Sequence, residues 1–546
     1  MHRPVLSLVV LSALTLFLGL GRQAITDSDE GFYAEAAREM VESGDWITPH
    51  FNYEDRWQKP VLYYWLTSAT YLLTGPTESA ARWWSALSGL GLVLLTWAAA
   101  RRLPTGPTGP GLRDEAAWLA GAIAATCFGC FAMARLALPD LPLALLITLT
   151  IWTALEQRWV LAGAAAGLGF LMKGPVALAV PALVLVPIWW REHRRLPIPP
   201  RALAAALLAF AVIGLPWYGV MTARHGVEYL EGFFVADNLE RFATDRFNEP
   251  RAFWFYLPIL LGGMLPWSVY LVVVPFRSAI AALRRQRTLT TDEWRLLLWA
   301  AMPLLFFTIS IGKQPRYILP VLPPVAILLA RAIARRVRES DPGGRATLAA
   351  ATWGTAALLG VLAVLLVRAR PLFVTVHPWL MSAGVAVVAA AAAAFVWLAA
   401  TRRWQRLPVV ATICAALVLL SVQFGALAGM RPEPVEQMAA IVARHRTPGE
   451  AVGVYQVFVR NLVFYTRFKQ VDLSDEGLAL DFLKSPGRVL LVVRAVDLPR
   501  LETVSGVKTQ SLGEVRYLNP ANVRLRTLIS PLPAQDVEVV LLVANR

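Results

Sequence analysis

The chain has 546 residues, of which 57% are hydrophobic and only 16% are charged, and its mean hydropathy is +0.52. Because a soluble domain carries roughly 25% charged residues, this composition excludes a soluble globular protein and indicates one embedded in a membrane. The formal net charge of +15 does not indicate a nucleic-acid partner, since the arginines stand in short clusters between apolar segments.

About thirteen apolar segments are predicted to be membrane-spanning helices, which need about 20 residues each. They lie near residues 4–20, 79–100, 115–134, 141–156, 159–172, 174–190, 203–220, 254–276, 295–311, 317–335, 347–367, 379–400 and 408–429. The first segment resembles a signal peptide, but no good small-residue cleavage site follows it, so we predict an uncleaved first span.

The arginine clusters predict how these spans are oriented. They are Arg101-Arg102, Arg191 with Arg194-Arg195, Arg284-Arg285-Arg287, Arg335-Arg336-Arg338 and Arg402-Arg403-Arg406. With the N-terminus inside, each cluster follows an even-numbered span and faces the cytoplasm, as the positive-inside rule requires. The loops after odd-numbered spans and the C-terminal region then face outward.

The composition changes after residue 430, where Pro432 and Pro434 mark a boundary. Residues 452–459, 489–494 and 537–543 are predicted strands. We therefore predict a mainly α-helical, polytopic membrane protein. Its transmembrane domain covers residues 1–430, and residues 431–546 form a small extracytoplasmic α/β domain, called the C-terminal module here.

The first loop, residues 21–78, is too long to be a simple connection between two helices. Residues 30–41 carry apolar side chains at helical spacing and predict an amphipathic helix along the membrane interface. Residues 61–73 are rich in Tyr and Trp, which prefer the headgroup region, and predict a second interfacial helix.

Charged side chains near membrane depth are costly, so those on the predicted outer face are candidates for function. Asp29 and Glu30 are adjacent carboxylates that could bind a divalent cation or provide a base. They could equally complement the positive end of a helix dipole. Asp140, between two prolines, could be a fixed ligand or an N-cap.

Several cations accompany these acids on the same predicted face. Lys59 could bind a lipid phosphate or simply extend to the interface. Several cations converging on one face could hold a phosphate or pyrophosphate, and the candidates are Lys173, Arg241, Lys313 and Arg316 with the neighbouring Tyr317. The histidines are too scattered to indicate a metal site, although His50 on the outer face could be a ligand. The sequence has no nucleotide-binding domain, which argues against an ATP-driven pump.

These motifs resemble a known family. Its first-loop pattern is matched by Asp29 to Glu35, Gly44 to His50, Lys59-Pro60 and Tyr64-Trp65. Its later motifs are matched in order by Asp140, Lys173-Gly-Pro175, Asn238 to Phe242 and Lys313 to Pro320. The pattern is similar to that of the bacterial aminoarabinose (lipid A) transferases and their relatives in the protein O-mannosyltransferase superfamily, which have the GT-C fold.

The resemblance implies a reaction and its partners. The donor is a polyprenyl-phosphate-linked sugar, and an acid matching Asp29 lies at the reaction centre. A divalent cation is implied, for which Asp29, Glu30 and His50 are the candidate ligands. Basic residues matching Lys59 hold the lipid phosphate.

Two departures from the family pattern predict a sister activity with a different sugar. Phe32 stands where the aminoarabinose enzymes have an arginine, and Ala236-Asp237 stand where they have a histidine-containing stretch. The sequence does not identify the sugar.

The predicted function is that of an inverting glycosyltransferase at the outer face of the bacterial cytoplasmic membrane. Asp29 would activate the acceptor, which is a lipid A-like lipid, a glycan or a protein, with Glu30 and Asp140 orienting it or binding the cation. The alternative is a transporter or flippase of lipid-linked sugars, which should show internal repeats and polar residues at mid-membrane depth. The chain shows no repeat and gathers its charges at one face, so the enzyme is favoured.

Overall fold

The computed structural model describes residues 2–26, 28–103, 110–193, 197–244, 250–274, 289–338, 341–373, 375–519 and 523–546. Two parts of the predicted arginine pattern, Arg194-Arg195 and Arg284-Arg285-Arg287, lie outside these residues, as does the end of the predicted span near 254–276.

Helices account for most of the first 430 residues. The first half contains α1 (His2–Ser12, continued by a π-helical turn Ala13–Phe17), α2 (Ser28–Ser43), α3 (Leu62–Thr74), α4 (Glu78–Arg102), α5 (Pro110–Thr126), α6 (Phe128–Ala134), α7 (Asp140–Leu155), α8 (Trp159–Lys173) and α9 (Val176–Glu192). Next come α10 (Pro200–Gly214), α11 (Pro216–His225), α12 (Val227–Leu230), a π-helix (Glu231–Glu240), α13 (Arg241–Ala243), α14 (Tyr256–Gly263) and α15 (Ser268–Val274). The last group contains α16 (Thr291–Ile309), a 3-10 helix (Pro315–Val321), α17 (Leu322–Arg338), α18 (Pro342–Arg368), a 3-10 turn (Arg370–Leu372), α19 (Pro378–Thr401), a second 3-10 turn (Trp404–Arg406) and α20 (Leu407–Val422, continued by the π-helical turn Gln423–Leu427).

Each predicted span coincides with a helix or with a bent pair of helices. Within the described residues, five helices are by themselves long and apolar enough to cross a membrane: Glu78–Arg102, Pro315–Arg338, Pro342–Arg368, Pro378–Thr401 and Trp404–Leu427. Three pairs qualify only together, because α5 and α6 meet at 53°, α10 and α11 at 43°, and α14 and α15 at 116°. The predicted span near 254–276 is therefore not one straight helix. Pro266 lies in its break, and a proline cannot donate the backbone hydrogen bond that would continue a helix.

The first loop is packed into the protein rather than lying over its surface. Apart from Phe32, residues 31–40 of α2 are buried, which contradicts the predicted exposed face of an interfacial helix. The cover comes partly from α3, where Ser68 donates to the carbonyl of Ala37 at 2.9 Å and Tyr71 donates to that of Ala34 at 3.3 Å. A short hairpin, β1 (His50–Phe51) and β2 (Glu54–Asp55), lies between α2 and α3.

The C-terminal module contains a five-stranded sheet in the order β4-β3-β5-β7-β6. Its strands are β3 (Val452–Tyr455), β4 (Val471–Leu473), β5 (Leu490–Arg494), β6 (Gln510–Tyr517) and β7 (Glu538–Ala544). Strands β4, β3 and β5 are parallel, and β7 and β6 are antiparallel to their neighbours. The helices of the module are α21 (Pro434–His445), α22 (Leu462–Thr466), α23 (Glu476–Leu483), α24 (Leu498–Ser505), α25 (Leu525–Ile529) and α26 (Pro533–Asp536). The predicted strands match β3, β5 and β7, and β4 and β6 are additional.

The C-terminal module is docked on the first loop by buried polar contacts. Asn461 donates to the carbonyl of Ile25 at 3.0 Å, and the hydroxyl of Tyr465 accepts from the amide of Ile25 at 2.8 Å. The same hydroxyl donates to Glu78 at 3.0 Å. At Gly31 the two parts come so close that an added Cβ would lie 2.3 Å from the carbonyl oxygen of Arg460.

We expect Gly31→Ala to weaken this docking, because a methyl group cannot lie that close to a backbone oxygen and overpacking costs about 1–3 kcal/mol. The measurement is the melting temperature of the protein in detergent, together with the rate at which a protease releases the C-terminal module. Gly219→Ala is the matched control, since an added Cβ there meets nothing within 4 Å. Equal melting temperatures for both variants would contradict the close contact.

Candidate active site

A cavity of about 940 Å³ lies at the meeting point of four parts of the chain. These are the first loop, the start of α7 at residue 140, the start of α9 at residue 176, and the segment 310–320. Its charged lining residues are Asp29, Arg56, Lys59, Asp140, Lys173, Asp237, Arg241, Arg316 and Arg460. Among the described residues the cations of this lining outnumber the carboxylates six to three, so the cavity favours an anionic ligand.

One guanidinium group joins the two carboxylates at the centre of this cavity. Arg316 donates from Nη2 to Oδ2 of Asp29, and its Nε lies 3.4 Å from Oδ2 of Asp140. Lys173 donates to the other oxygen of Asp140 at 2.5 Å. The result is a continuous line of alternating charges, which fixes the position of both acids.

Asp29 is ionised in this setting. Burial acts to raise the pKa of its carboxyl, but Arg316, Arg460 and Lys173 outweigh that effect and hold the pKa below its ordinary value. Arg460 contributes an ion pair in which Nη1 lies 3.5 Å from Oδ1 of Asp29. A carboxylate held ionised beside a cavity can accept a proton or orient a hydroxyl group.

A second group of charges surrounds Lys59. Arg241 donates to Oδ1 of Asp237 at 3.1 Å and to the backbone carbonyl of the same residue at 3.2 Å. The pKa of Lys59 is lowered to about 7, mainly by burial; Asp237 opposes this shift, and the nearby charges of Arg241, Lys173 and Arg56 add to it. An ammonium group with so many cationic neighbours is stabilised when an anion binds.

Aromatic rings support the cations on one wall. The guanidinium of Arg56 lies 3.7 Å from the ring centre of Phe32, and that of Arg460 lies 4.3 Å from the same ring. Arg56 is buried and donates to the hydroxyl of Tyr64 at 3.2 Å. Contacts of a guanidinium with an aromatic ring hold it in place without neutralising its charge.

The structure brings together seven of the ten predicted site residues. Those that line the cavity are Asp29, Lys59, Asp140, Lys173, Arg241, Arg316 and Tyr317. Glu30, His50 and Lys313 do not line it.

Glu30, a predicted candidate for catalysis and metal binding, faces the protein interior and not the cavity. Both its oxygens accept from Arg82, at 2.7 and 3.0 Å, and Oε1 also accepts from the amide of Ala137 at 2.8 Å. Consecutive residues of a helix point about 100° apart, so when Asp29 faces the cavity Glu30 faces the interior.

Lys313 and His50 are also placed differently from the prediction. The ammonium of Lys313 is buried and donates to the carbonyls of Ser310 at 2.5 Å and Arg251 at 3.4 Å. Nε2 of His50 lies 3.2 Å from a carboxylate oxygen of Asp55 on the adjacent strand. The predicted metal ligands Asp29, Glu30 and His50 therefore have three different surroundings, and the described residues contain no group of three or more metal-binding side chains.

Sequence reasoning missed three charged residues of the cavity. Arg56 and Asp237 lie in segments already singled out, three residues before Lys59 and one before Asn238. Arg460 belongs to the C-terminal module, and no local pattern connects it with Asp29.

We expect Glu30→Gln to destabilise the protein by about 3–5 kcal/mol, because the buried Arg82 would lose the carboxylate with which it forms a salt bridge. The measurement is the melting temperature in detergent. Glu42→Gln on the same helix is the control, since Glu42 pairs with Arg38 but its side chain is 52% exposed. There we expect a change within about 1 kcal/mol. A Glu30→Gln variant that melts like the wild type would contradict the structural role.

The chain is similar to known proteins over much of its length. Residues 7–225 match the dolichyl-phosphate-mannose-protein mannosyltransferase family. The undecaprenyl phosphate-alpha-4-amino-4-deoxy-L-arabinose arabinosyl transferase of Edwardsiella ictaluri is 35% identical over 386 residues, which cover 67% of each chain. The enzyme of the same name from Erwinia tasmaniensis is 33% identical over 404 residues, 71% of this chain and 69% of the relative.

Solved structures confirm the predicted fold class. The crystal structure of ArnT from Cupriavidus metallidurans bound to undecaprenyl phosphate superposes with a TM-score of 0.72 at 24% identity, covering 99% of this chain and 98% of that one. The archaeal oligosaccharyltransferase AglB from Archaeoglobus fulgidus, in complex with an inhibitory peptide and a dolichol-phosphate, gives 0.51 at 13% identity, covering 92% and 70%. The chain is thus a multi-pass protein of the inner membrane, and it belongs to the undecaprenyl phosphate-aminoarabinose arabinosyl transferase family of GT-C glycosyltransferases.

Proposed function

We propose that this protein transfers a sugar from a polyprenyl-phosphate donor to an acceptor at the outer face of the inner membrane. The observation that carries the proposal is an ionised carboxylate, Asp29, in a cavity whose described lining has twice as many cations as carboxylates. A base beside an anion-binding site is what a displacement at a phosphate-bearing sugar carbon requires. The names of the relatives and the lipid phosphate bound to the Cupriavidus protein support it.

The phosphate of the donor fits the group of charges around Lys59. When the bond between the sugar and the phosphate breaks, negative charge develops on the phosphate. Lys59 and Arg241 lie where they would stabilise that charge, with Lys173 between this group and Asp140. Because these cations are fixed in advance, no solvent needs to reorganise during the reaction.

Asp29 is the residue that would activate the acceptor. Arg316 keeps its carboxylate ionised and oriented, and Asp140 in turn holds Arg316 and Lys173. An ionised carboxylate takes the proton of an acceptor hydroxyl or orients an acceptor that is already ionised. The attack on the sugar carbon comes from the face opposite the phosphate, so the configuration at that carbon is inverted.

The position of the charges favours an outward-facing site. Arg316 and the cluster Arg335-Arg336-Arg338 lie at opposite ends of the 24-residue helical segment Pro315–Arg338, which is long enough to cross the membrane. If the cluster faces the cytoplasm, as the positive-inside rule predicts, Arg316 and the cavity lie at the outer side. The C-terminal module, docked next to Asp29, then lies outside as well, so the division into a membrane domain (1–430) and an outer module (431–546) stays part of this proposal.

The residues present do not fit the divalent cation that the resemblance implies. Asp29 and Asp140 are the carboxylates nearest the reaction centre, and both are already bound by Arg316, with Lys173 and Arg460 beside them. A divalent cation placed there would meet three positive charges for two negative ones. The roles assigned here therefore belong to side chains alone.

We expect Asp29→Asn to reduce sugar transfer roughly 100- to 10,000-fold, the range for loss of a general base. The measurement uses purified protein, radiolabelled undecaprenyl-phosphate sugars and a membrane-lipid extract. Asp45→Asn is the matched control, because Asp45 also pairs with an arginine, Arg224, but does not line the cavity.

Undiminished transfer by a folded Asp29→Asn variant would remove Asp29 from the reaction centre. Movement of labelled lipid across proteoliposome membranes without consumption of donor would replace the enzyme with a transporter.

We expect the KM for the donor to rise on the order of tenfold between pH 6.5 and 8.5, since a phosphate-binding Lys59 with a pKa of about 7 loses its proton in that range. The sign follows from the lowered pKa: the charged form exists below it and is lost above it. Lys59→Arg should remove this pH dependence, because a guanidinium stays charged. A donor KM that is flat with pH in the wild type would show that Lys59 does not bind the phosphate as an ammonium group.

A further inference from the structure

One charged residue of the cavity comes from the C-terminal module. The other charged lining residues of the described chain lie between Asp29 and Arg316, whereas Arg460 follows strand β3 of the module. Its guanidinium pairs with Asp29 at 3.5 Å and lies 4.3 Å from the ring centre of Phe32. The cavity is therefore completed by a part of the chain that sequence reasoning assigned to a separate domain.

The backbone around Arg460 is fixed in this position. Its carbonyl oxygen packs against Gly31, and the next residue, Asn461, donates to the carbonyl of Ile25 at 3.0 Å. Gln456 and Phe458, just before it, have positive φ angles of 57° and 53°. Left-handed backbone at residues other than glycine is costly and persists where the surroundings demand it, often beside functional sites.

The charges of the cavity form two groups. Lys59 interacts with Asp237 and Arg241, and Asp29 interacts with Arg316 and Arg460. Lys173 interacts with both groups and is bonded to Asp140. The cavity thus offers one cationic group for a leaving phosphate and a separate one, around the base, for the other reactant.

The geometry of an inverting displacement decides which reactant lies beside Arg460. The attacking oxygen and the departing phosphate must lie on opposite faces of the sugar carbon. If the phosphate binds at Lys59 and Arg241, the acceptor approaches from the side of Asp29. Arg460 is on that side, and its side chain is 38% exposed, against 19% for Arg316.

A guanidinium carries five N–H donors in a planar fork that matches a phosphate or carboxylate. Arg460 can therefore keep its ion pair with Asp29 and contact a further anionic group in the cavity at the same time. We propose that Arg460 is a substrate-binding residue of the C-terminal module and that it recognises an anionic group, a phosphate above all, on the acceptor. This inference rests on the proposed function and assigns the module a direct part in acceptor selection.

The test measures transfer from one donor to two acceptors, an acylated glucosamine disaccharide with its phosphate groups and the same molecule without them. The wild type should prefer the phosphorylated acceptor, and Arg460→Ala should lower kcat/KM for it roughly 10- to 100-fold, the range for a charge-assisted hydrogen bond. The KM for the donor should not change. Arg460→Lys should recover part of the loss, since it restores the charge but not the fork.

Arg444→Ala is the matched control, because Arg444 is an exposed arginine of the same module outside the cavity. Equal losses for both acceptors, with a shifted pH profile, would mean that Arg460 acts only by positioning Asp29, and the proposal would fall. So would a raised donor KM, or a wild type that transfers equally well to both acceptors or only to uncharged ones. A wild type that consumes no lipid-linked sugar would overturn the proposed function itself.

Discussion

The arrangement of the cavity depends on the guanidinium group of Arg316. It joins Asp29, from the first loop, to Asp140, at the start of α7, and it lies itself at the start of the segment leading into α17. Two carboxylates facing one partly buried cavity repel each other, and the positive charge of Arg316 between them offsets that repulsion. Three distant parts of the chain are thus held by one residue, and the same residue helps to keep Asp29 ionised.

Adjacent acids of α2 have opposite tasks because their surroundings differ. Glu30 is buried against Arg82, whose Nη1 donates to the carbonyls of Leu20 and Gln23 and whose Nη2 also donates to the carbonyl of Ala24. The Glu30–Arg82 ion pair holds the segment after the first helix against α4. Either charge left unpaired in this buried position would strongly destabilise the protein. Asp29 points into the cavity instead, where its side chain is 35% exposed. The rigid pair next to the base limits how far the base can move.

The sequence predicts the helices well and the fine placement of the site less well. Long apolar segments predict helices because a backbone in lipid must satisfy its own hydrogen bonds. The central strands β3, β5 and β7 are continuous apolar runs, whereas the edge strands β4 and β6 have exposed positions and give no such signal. The charged residues of the predicted outer loops included most of the charged residues that line the cavity. Which of Asp29 and Glu30 enters it depends on the rotation of α2, and because this helix is buried on nearly all sides, its apolar spacing does not show which side faces the cavity.

The exposure of the central charges increases in one direction. The side chain of Asp140 is 5% exposed and that of Lys173 15%, while Asp29 reaches 35% and Arg460 38%. The deep end has the apolar walls formed by Leu143, Ile147 and Val176, and the open end has the C-terminal module. Under the proposed function, the lipid-linked donor and the acceptor would therefore meet different ends of one cavity. Because the module forms part of the more exposed end, a change in its docking would alter the shape of that end more than that of the deeper one.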